Sequence, residues 1–438
     1  MKNFGKNLFI AFLMILAIYQ TTELWFDDLS SHNFFSFILQ QNNGYAQAQL
    51  YGLDGVIINR GENTTALMHR ENVLDNTYRR EFDKLITAAV TKGEFEKKKV
   101  DWPHVFNNRC IVYSFMQPIA AKDFKKALGI SAGKPDEIKS VSAVVIVPNT
   151  TDNVLMTYIE NDSETICYKL KRADMVQKCT DVVENFSETG NGCISSKASG
   201  FNIFKGNTFI PILSGGVSTL NVTNPVTDGV MIDTKALENI ADSFFDNPAV
   251  KWSSVVNNIY SYSDEYNVVK YNLNGVLEYS GYNAGSSGEE QSPANNYAAA
   301  LEFLKKDKGI KNDIVLSAVS TNKERTQFYF DYAVNGIPAY MSDNLKKGLE
   351  MHSAIELSVS HGNVVKYRRY LCVMEQNTDK SELTGDFVKA VDNVYNALEG
   401  NEMLVEDMDL AYKINGRQEN VPVSWRITID NKIYWEAA

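Results

Sequence analysis

Two serine motifs are the first places where residue type and spacing could carry catalysis. Ser320-Thr321-Asn322-Lys323 reads S-x-x-K, and Ser342-Asp343-Asn344 reads S-D-N. In serine acyl transfer of the kind trapped by β-lactams, both occur with a K-T-G strand, and the lysine must lie one helical turn from the serine. Here the first motif falls in an expected hairpin turn, the two lie only 22 residues apart, and no K-T-G occurs. A wall enzyme of this type therefore ranks third among the functions considered. No G-x-S-x-G, Walker A or H-E-x-x-H is present, and Gly215-Gly216 lacks the G-K-[ST] of a phosphate loop. His32, His69, His104, His352 and His361 lie too far apart for a metal-binding spacing. The pair Glu289-Glu290 sits in a polar linker and reads as solvated charge.

The cysteines, Cys110, Cys167, Cys179, Cys193 and Cys372, contain no C-x-x-C. Buried free thiols are the default for such scattered residues. One disulfide among Cys167, Cys179 and Cys193 stays open as the alternative. No catalytic residue, cofactor or metal is expected, and an interaction role outranks catalysis.

The chain has 438 residues, 44% hydrophobic and 22% charged, which is the composition of a folded protein of about two to four domains. With 43 Lys+Arg against 54 Asp+Glu the net charge is −11, which argues against nucleic acid or an anionic membrane surface as the main partner.

The amino terminus is the most informative segment. Lys2 and Lys6 precede the apolar run Leu8 to Tyr19, and Leu24-Trp25-Phe26 resumes it after Gln20-Thr21-Thr22-Glu23. Asp27 and Asp28 follow, so the charge balance sets the amino terminus inside and the remainder outside the cell. A signal peptide would suit the shorter run, but no Ala-x-Ala pattern follows Tyr19. Leu8 to Phe26 supplies 19 residues, close to the ~20 that a transmembrane helix requires. An uncleaved, single-pass anchor is the favoured reading. Polar groups in lipid favour a partner helix, so Gln20, Thr21 and Thr22 are the candidate transmembrane interaction residues. The alternative places Gln20 to Glu23 in the outer headgroup zone.

The expected organisation is a cytoplasmic stub and anchor over 1–26, a tether over 27–47, and three extracellular α+β units over 48–200, 201–290 and 291–438. Thr77 can cap a helix carrying Phe82, Leu85, Ile86 and Ala89 on one face. Strands are expected over Ile111–Phe115, Val141–Val147, Val154–Ile159 and Ile166–Leu170. A helix starts at Asp233, with Leu237, Ile240, Ala241, Phe244 and Phe245 on one side, and runs to Pro248. Strands follow over Ser254–Tyr262, Asn267–Leu273 and Val276–Ser280, with Asn274-Gly275 as a two-residue turn.

Ser292-Pro293 opens a second helix carrying Tyr297, Ala300, Leu301 and Leu304. Further strands span Asp313–Val319, Thr326–Val334, Ala354–Ser360 and Asn363–Val373, with a turn over Asn335–Pro338. A third helix carries Phe387, Val391, Val394, Tyr395 and Leu398 and closes at Gly400. Strands are then expected over Leu404–Ile414 and Val421–Ile429. In the latter, Val421, Val423, Trp425, Ile427 and Ile429 alternate with polar residues, the mark of a sheet with one buried face. The pentapeptide Asn267-Val268-Val269-Lys270-Tyr271 recurs as Asn363-Val364-Val365-Lys366-Tyr367, which lends weak support to two related domains. The fold class is α+β, with antiparallel sheets backed by helices.

Leu24 to Phe35, LWFDDLSSHNFF, resembles the opening of the YycH family. Asn108 to Phe115 with Pro118 is similar to a strand of that family, where glycine is usual at the position of Cys110. The hairpin VVKYNLNGVLEYSGY also fits. Phe328 through Asn335-Gly336-Ile337-Pro338, and Val423-Ser424-Trp425-Arg426-Ile427, resemble the part shared by YycH and its sister YycI. The resemblance implies a single-pass membrane protein of Gram-positive bacteria. Its relatives regulate an essential sensor histidine kinase of the WalK/YycG type through transmembrane and extracellular contacts. The partners implied are that kinase and a YycI-like sister protein. The alternative is an exported inhibitor or binding module resembling PepSY domains, acting on a secreted or wall-associated peptidase.

Overall fold

Val141 to Val147 is apolar at nearly every position, which suits a strand covered on both faces. It lies in a sheet of nine strands: β1 (Leu53–Arg60), β2 (Thr65–His69), β3 (Glu94–Lys97), β4 (Arg109–Ala120), β5 (Ser140–Asn149), β6 (Val154–Glu160), β7 (Thr165–Lys171), β8 (Asn191–Ser195) and β9 (Phe209–Ile212). Their order is β3-β7-β6-β5-β4-β1-β2-β8-β9, antiparallel throughout. Helices α1 (Arg79–Lys92), α2 (Trp102–Asn107), α3 (Ala121–Ala127) and α4 (Ala173–Asn185) are interleaved with them. Val56, Ile58, Ile111, Tyr113 and Val144 point toward α1, α3 and α4; Ile57, Cys110, Val112 and Val145 point toward Trp102 and Phe106 of α2. The expected face of α1 is buried at Phe82, Leu85, Ile86 and Ala89, and the Phe82 ring meets Tyr113 edge-on at 5.7 Å.

The computed structural model describes residues 53–61, 65–69, 79–130, 139–161, 165–186, 191–212, 216–282, 293–322, 325–381, 386–398 and 404–438. The expected anchor, the tether, Thr77 and Gly400 lie outside these. No helix among the described residues is long and apolar enough to cross a membrane.

A second sheet holds twelve strands: β11 (Trp252–Val256), β12 (Ile259–Ser263), β13 (Asn267–Asn272), β14 (Val276–Gly281), β15 (Asp313–Thr321), β16 (Thr326–Val334), β17 (Ile337–Met341), β18 (Ile355–Ser360), β19 (Asn363–Tyr370), β21 (Val405–Ile414), β23 (Val423–Ile429) and β24 (Lys432–Ala437). The order is β11-β12-β13-β14-β19-β18-β16-β17-β21-β23-β24, with β15 paired to β16. Strand β16 serves three partners: β15 along its length, β18 over 326–330 and β17 over 332–334, so the sheet forks there. The β17–β21 pair is parallel; the other ladders are antiparallel. A small third sheet joins β10 (Val217–Thr223) to β20 (Val373–Ser381) and β22 (Gln418–Val421). Helices α5 (Thr234–Asp242), α6 (Pro293–Lys306), α7 (Asp343–Leu349) and α8 (Phe387–Ala397) complete the α+β arrangement.

The apolar patterns found their faces. Tyr297, Ala300, Leu301 and Leu304 of α6 are buried against β16, β18 and β19. The alternating residues Val421, Val423, Trp425, Ile427 and Ile429 are all buried. Several boundaries moved. The strand expected over Ser254–Tyr262 is two strands, β11 and β12, because Asn257 and Asn258 take φ of 50° and 63° and form the two-residue turn. Asn tolerates this left-handed backbone better than most residues. At Asn274-Gly275 only the glycine has positive φ, 92°, and the loop is three residues long, from 273 to 275. Asn335-Gly336 alone makes the next turn, and Pro338 lies inside β17. Helix α5 ends at Asp242; Pro248 instead opens a short 3-10 turn, Pro248–Val250. All five cysteines are free and buried, so the alternative of a disulfide among Cys167, Cys179 and Cys193 falls away. Residues 48–438 form one compact unit. The stretch around 290 lies outside the described residues, and the strands on its two sides hydrogen-bond in one sheet. The repeated pentapeptides form β13 and β19, which flank the same strand, β14.

A fully buried ion pair ties the exit of α6 to the second sheet. Arg369, on β19, is 0% exposed, and its Nε lies 3.1 Å from Asp307 Oδ2 just beyond α6. Tyr367 donates its hydroxyl to the same oxygen at 2.6 Å, and the Gly309 N–H donates to Oδ1 at 2.8 Å. A Cβ at position 309 would sit 2.4 Å from Arg369 Nη2, so any larger residue there would have to displace the buried guanidinium. Desolvation opposes the guanidinium charge most strongly of any single influence, and the fields of Asp307, Tyr367, Tyr332 and Cys372 together overcome it, so the group is held protonated.

Replacing Asp307 by Ala strands a buried charge and should cost about 3–5 kcal/mol in urea unfolding. Near the end of β6, burial pushes the Glu160 carboxyl up to about 7 from its ordinary 4.5, against a hydrogen bond from Thr165. The folded state then holds the extra proton, so stability falls as pH rises from about 4.5 to 7. Glu160→Gln should flatten that stretch of the stability profile, with a gain at pH 7 on the order of 2 kcal/mol. Unfolding midpoints measured across this range check it.

Candidate functional site

The two large sheets meet where β15 packs against β1 and β4. A short splice beside it holds them together. Phe204 bridges Val405, the Val405 N–H donates to Ile203 O at 2.8 Å, and the Lys205 N–H donates to Val405 O at 3.0 Å. Between the sheets lies a cleft of about 640 Å³. Phe115 and Phe209 line it from the first sheet; Ser317, Tyr329, Asp331, Tyr340, Arg426 and Trp435 line it from the second. Three strands that meet at the fork, β15, β16 and β17, all contribute to this lining.

Asp331 is 1% exposed yet sits in the cleft wall. It accepts the Ser317 hydroxyl at 2.5 Å on one oxygen and the Ala354 N–H at 3.0 Å on the other. Burial pushes its carboxyl up; the two hydrogen bonds and the charges of Lys346 and Arg426 act in the opposite direction. The Arg426 guanidinium lies 4.7 Å over the Tyr340 ring, and its Nη1 is 3.3 Å from Asp407. Lys413 stands 5.5 Å over Trp435. Lys346 is carried by α7, whose amino end is fixed by Ser342 accepting from the Leu345 N–H at 3.3 Å. The His352 ring stands edge-on to Tyr329 at 5.8 Å.

The Ser317–Asp331 contact contains no histidine, and its serine is spent on satisfying a buried carboxyl. The mixed charge of Lys346, Arg426, Asp343 and Asp407 with aromatic walls suits a polar guest carrying both signs.

The serine motifs read from the sequence do not come together as a catalytic pair. Ser320 faces Gln327 in the β15–β16 hairpin, and Ser342 is a helix cap. Lys323 lies outside the described residues, as do Gln20, Thr21 and Thr22, the candidate transmembrane contacts. Sequence reading missed Asp331, Ser317, Lys346 and Arg426. A usable signal existed at Asp331: a carboxylate inside the apolar strand Phe328 to Val334 must find partners once the strand is buried.

Ser317→Ala removes one of two donors from Asp331 and should lower stability by about 1–3 kcal/mol. In an Asp331→Asn background the same change should cost less, because no charge is left stranded. Chemical unfolding of the two single variants and the double variant measures the difference.

No family model matches the chain, and no curated protein matches it in sequence. Among solved structures, an uncharacterized protein from Eubacterium rectale aligns with TM-score 0.33 at 12% identity, over 53% of this chain and 86% of that chain. The Bacillus megaterium YpeB C-terminal domain aligns with TM-score 0.26 at 11% identity, over 49% of this chain and 100% of that chain. The fold is similar to that of YycH from Bacillus subtilis, with TM-score 0.51 and 13% identity over 89% of this chain and 97% of that chain.

Proposed function

We propose that this chain is a membrane-anchored extracytoplasmic regulatory protein, resembling YycH, that modulates a two-component sensor histidine kinase controlling cell-wall metabolism. The observation that carries the reading is the YycH-like fold, which extends over 89% of this chain. The motif resemblance at Leu24 to Phe35, Asn108 to Phe115 and Val423 to Ile427 supports it from the sequence. In this reading Leu8 to Phe26 spans the bilayer with the amino terminus inside, and the α+β unit lies outside. The partners are the kinase and a YycI-like sister protein.

Regulation would run through two contacts. The anchor packs laterally against partner helices, where Gln20, Thr21 and Thr22 offer hydrogen bonds of about 1–2 kcal/mol or less each. The ectodomain docks the sister protein. A ligand in the cleft between the sheets would bear on that docking, since the cleft is lined by both sheets.

Exchanging Leu8 to Phe26 for an unrelated membrane span should leave export intact and abolish the effect on kinase output, read from a promoter under its control. Unchanged output in the chimera would overturn lateral packing. Full activity of a soluble fragment beginning at residue 48 would favour a PepSY-like binding module acting through the ectodomain alone.

A further inference from the structure

A sheet ends in strands whose outer N–H and C=O groups are unpaired, and proteins ordinarily guard them with charge, proline or a covering element. The end strands here show those guards. Strand β3 carries Glu94, Glu96 and Lys97; β9 carries Pro211 and packs on β21; β15, paired only with β16, packs against β1 and β4; β20 and β22 carry Glu375 and Glu419. Strand β24 carries Lys432 and Glu436, and Asn393 of α8 donates to Glu436 at 2.9 Å.

Strand β11 is different. Its residues are Trp252, Ser253, Ser254, Val255 and Val256, all exposed, with no charge, no proline and no bulge. Trp252 is 67% exposed and Val256 63%. Its only ladder partner among the described residues is β12. The turn at Asn257-Asn258 holds it in register with β12 at all five positions, so the edge is unbroken and preformed. The nearest charge in sequence, Lys251, is spent on Glu238 at 2.9 Å and Asp242 at 2.8 Å.

We infer that β11 is a self-pairing edge, through which two copies of this chain join antiparallel about Ser254. No charge in the strand opposes a second copy, since two-fold pairing sets no like charges opposite one another. The dyad at Ser254 is the register that pairs all five residues. It places Trp252 opposite Val256 of the other copy, twice over, and aromatic–β-branched pairs of this kind stabilise sheets. A five-residue strand buries far less than the ~800 Å² per partner of a standard interface, so the dimer is weak and reversible. The proposal does not depend on the kinase reading, because its test reads the mass of this chain alone.

The test uses the full chain in detergent. All five native cysteines are buried, so Ser254→Cys supplies the single exposed thiol. At the dyad the two Cα atoms would stand about 4.5–5.5 Å apart, within disulfide reach. Mild oxidation should give a covalent dimer from Ser254→Cys and none from Ser261→Cys on β12. Light scattering of the unmodified protein should show mass rising toward a dimer with concentration. The rise should be stronger at high salt, which screens the −11 charge of each copy. Ser254→Lys sets two ammonium groups face to face and should weaken association at least tenfold. A Ser254→Cys chain that stays monomeric, or that crosslinks only to a different protein, overturns the inference. So does a Ser254→Lys chain with the mass profile of the unmodified protein.

Discussion

The Arg369–Asp307 pair is the constraint on which the larger half of the molecule depends. A guanidinium at the centre of a sheet is tolerable only if a carboxylate is delivered to it through the layer above. Helix α6 does this: its apolar face lies on β16, β18 and β19, and its exit presents Asp307 to Arg369. Tyr367 and Gly309 fill the remaining acceptor positions of that carboxylate. Hydrophobic contact alone would let a helix slide on a flat sheet. A buried charge fixes its position along the axis, and with it the strands that continue on to the fork at β16.

That fork is also where the scaffold meets the cleft. Strand β16 turns one edge of the sheet toward β15 and divides the other between β18 and β17. The first sheet then closes on β15 and leaves the cleft, with Asp331 in its wall. Site and scaffold share residues here. Ser317 and Ala354 satisfy Asp331 and at the same time tie three segments together. A guest in the cleft would touch both sheets at once and so bear on how they meet.

Much of the architecture was legible because it is carried by period. The faces of α1, α6 and β23 follow from spacing alone, as did the α+β class. What escaped was set by turns and by distant pairing. Asn257-Asn258 looked like the middle of one strand because asparagine does not announce a left-handed backbone as glycine does. Strand β24, Lys432–Ala437, has a weak pattern of its own and exists because β23 offers it an edge. Helices α2 and α7 are too short for periodicity to reveal. The cleft was invisible for another reason: its lining comes from strands far apart in sequence, brought together by sheet order.

The twin pentapeptides flanking β14 pose a problem of assembly. Either copy can offer the same side chains to either flank, and the two registers differ by only two residues: Tyr271 faces Leu277, whereas Tyr367 faces Tyr279. Glu278 meets Lys270 on one flank and Arg368 on the other, so charge does not tell them apart. Time of emergence from the ribosome does. The hairpin of β13 and β14 closes over three residues and can form within microseconds, long before the second copy has been synthesised. One flank is therefore already occupied when the later strand arrives, and vectorial synthesis resolves an ambiguity that the letters themselves leave standing.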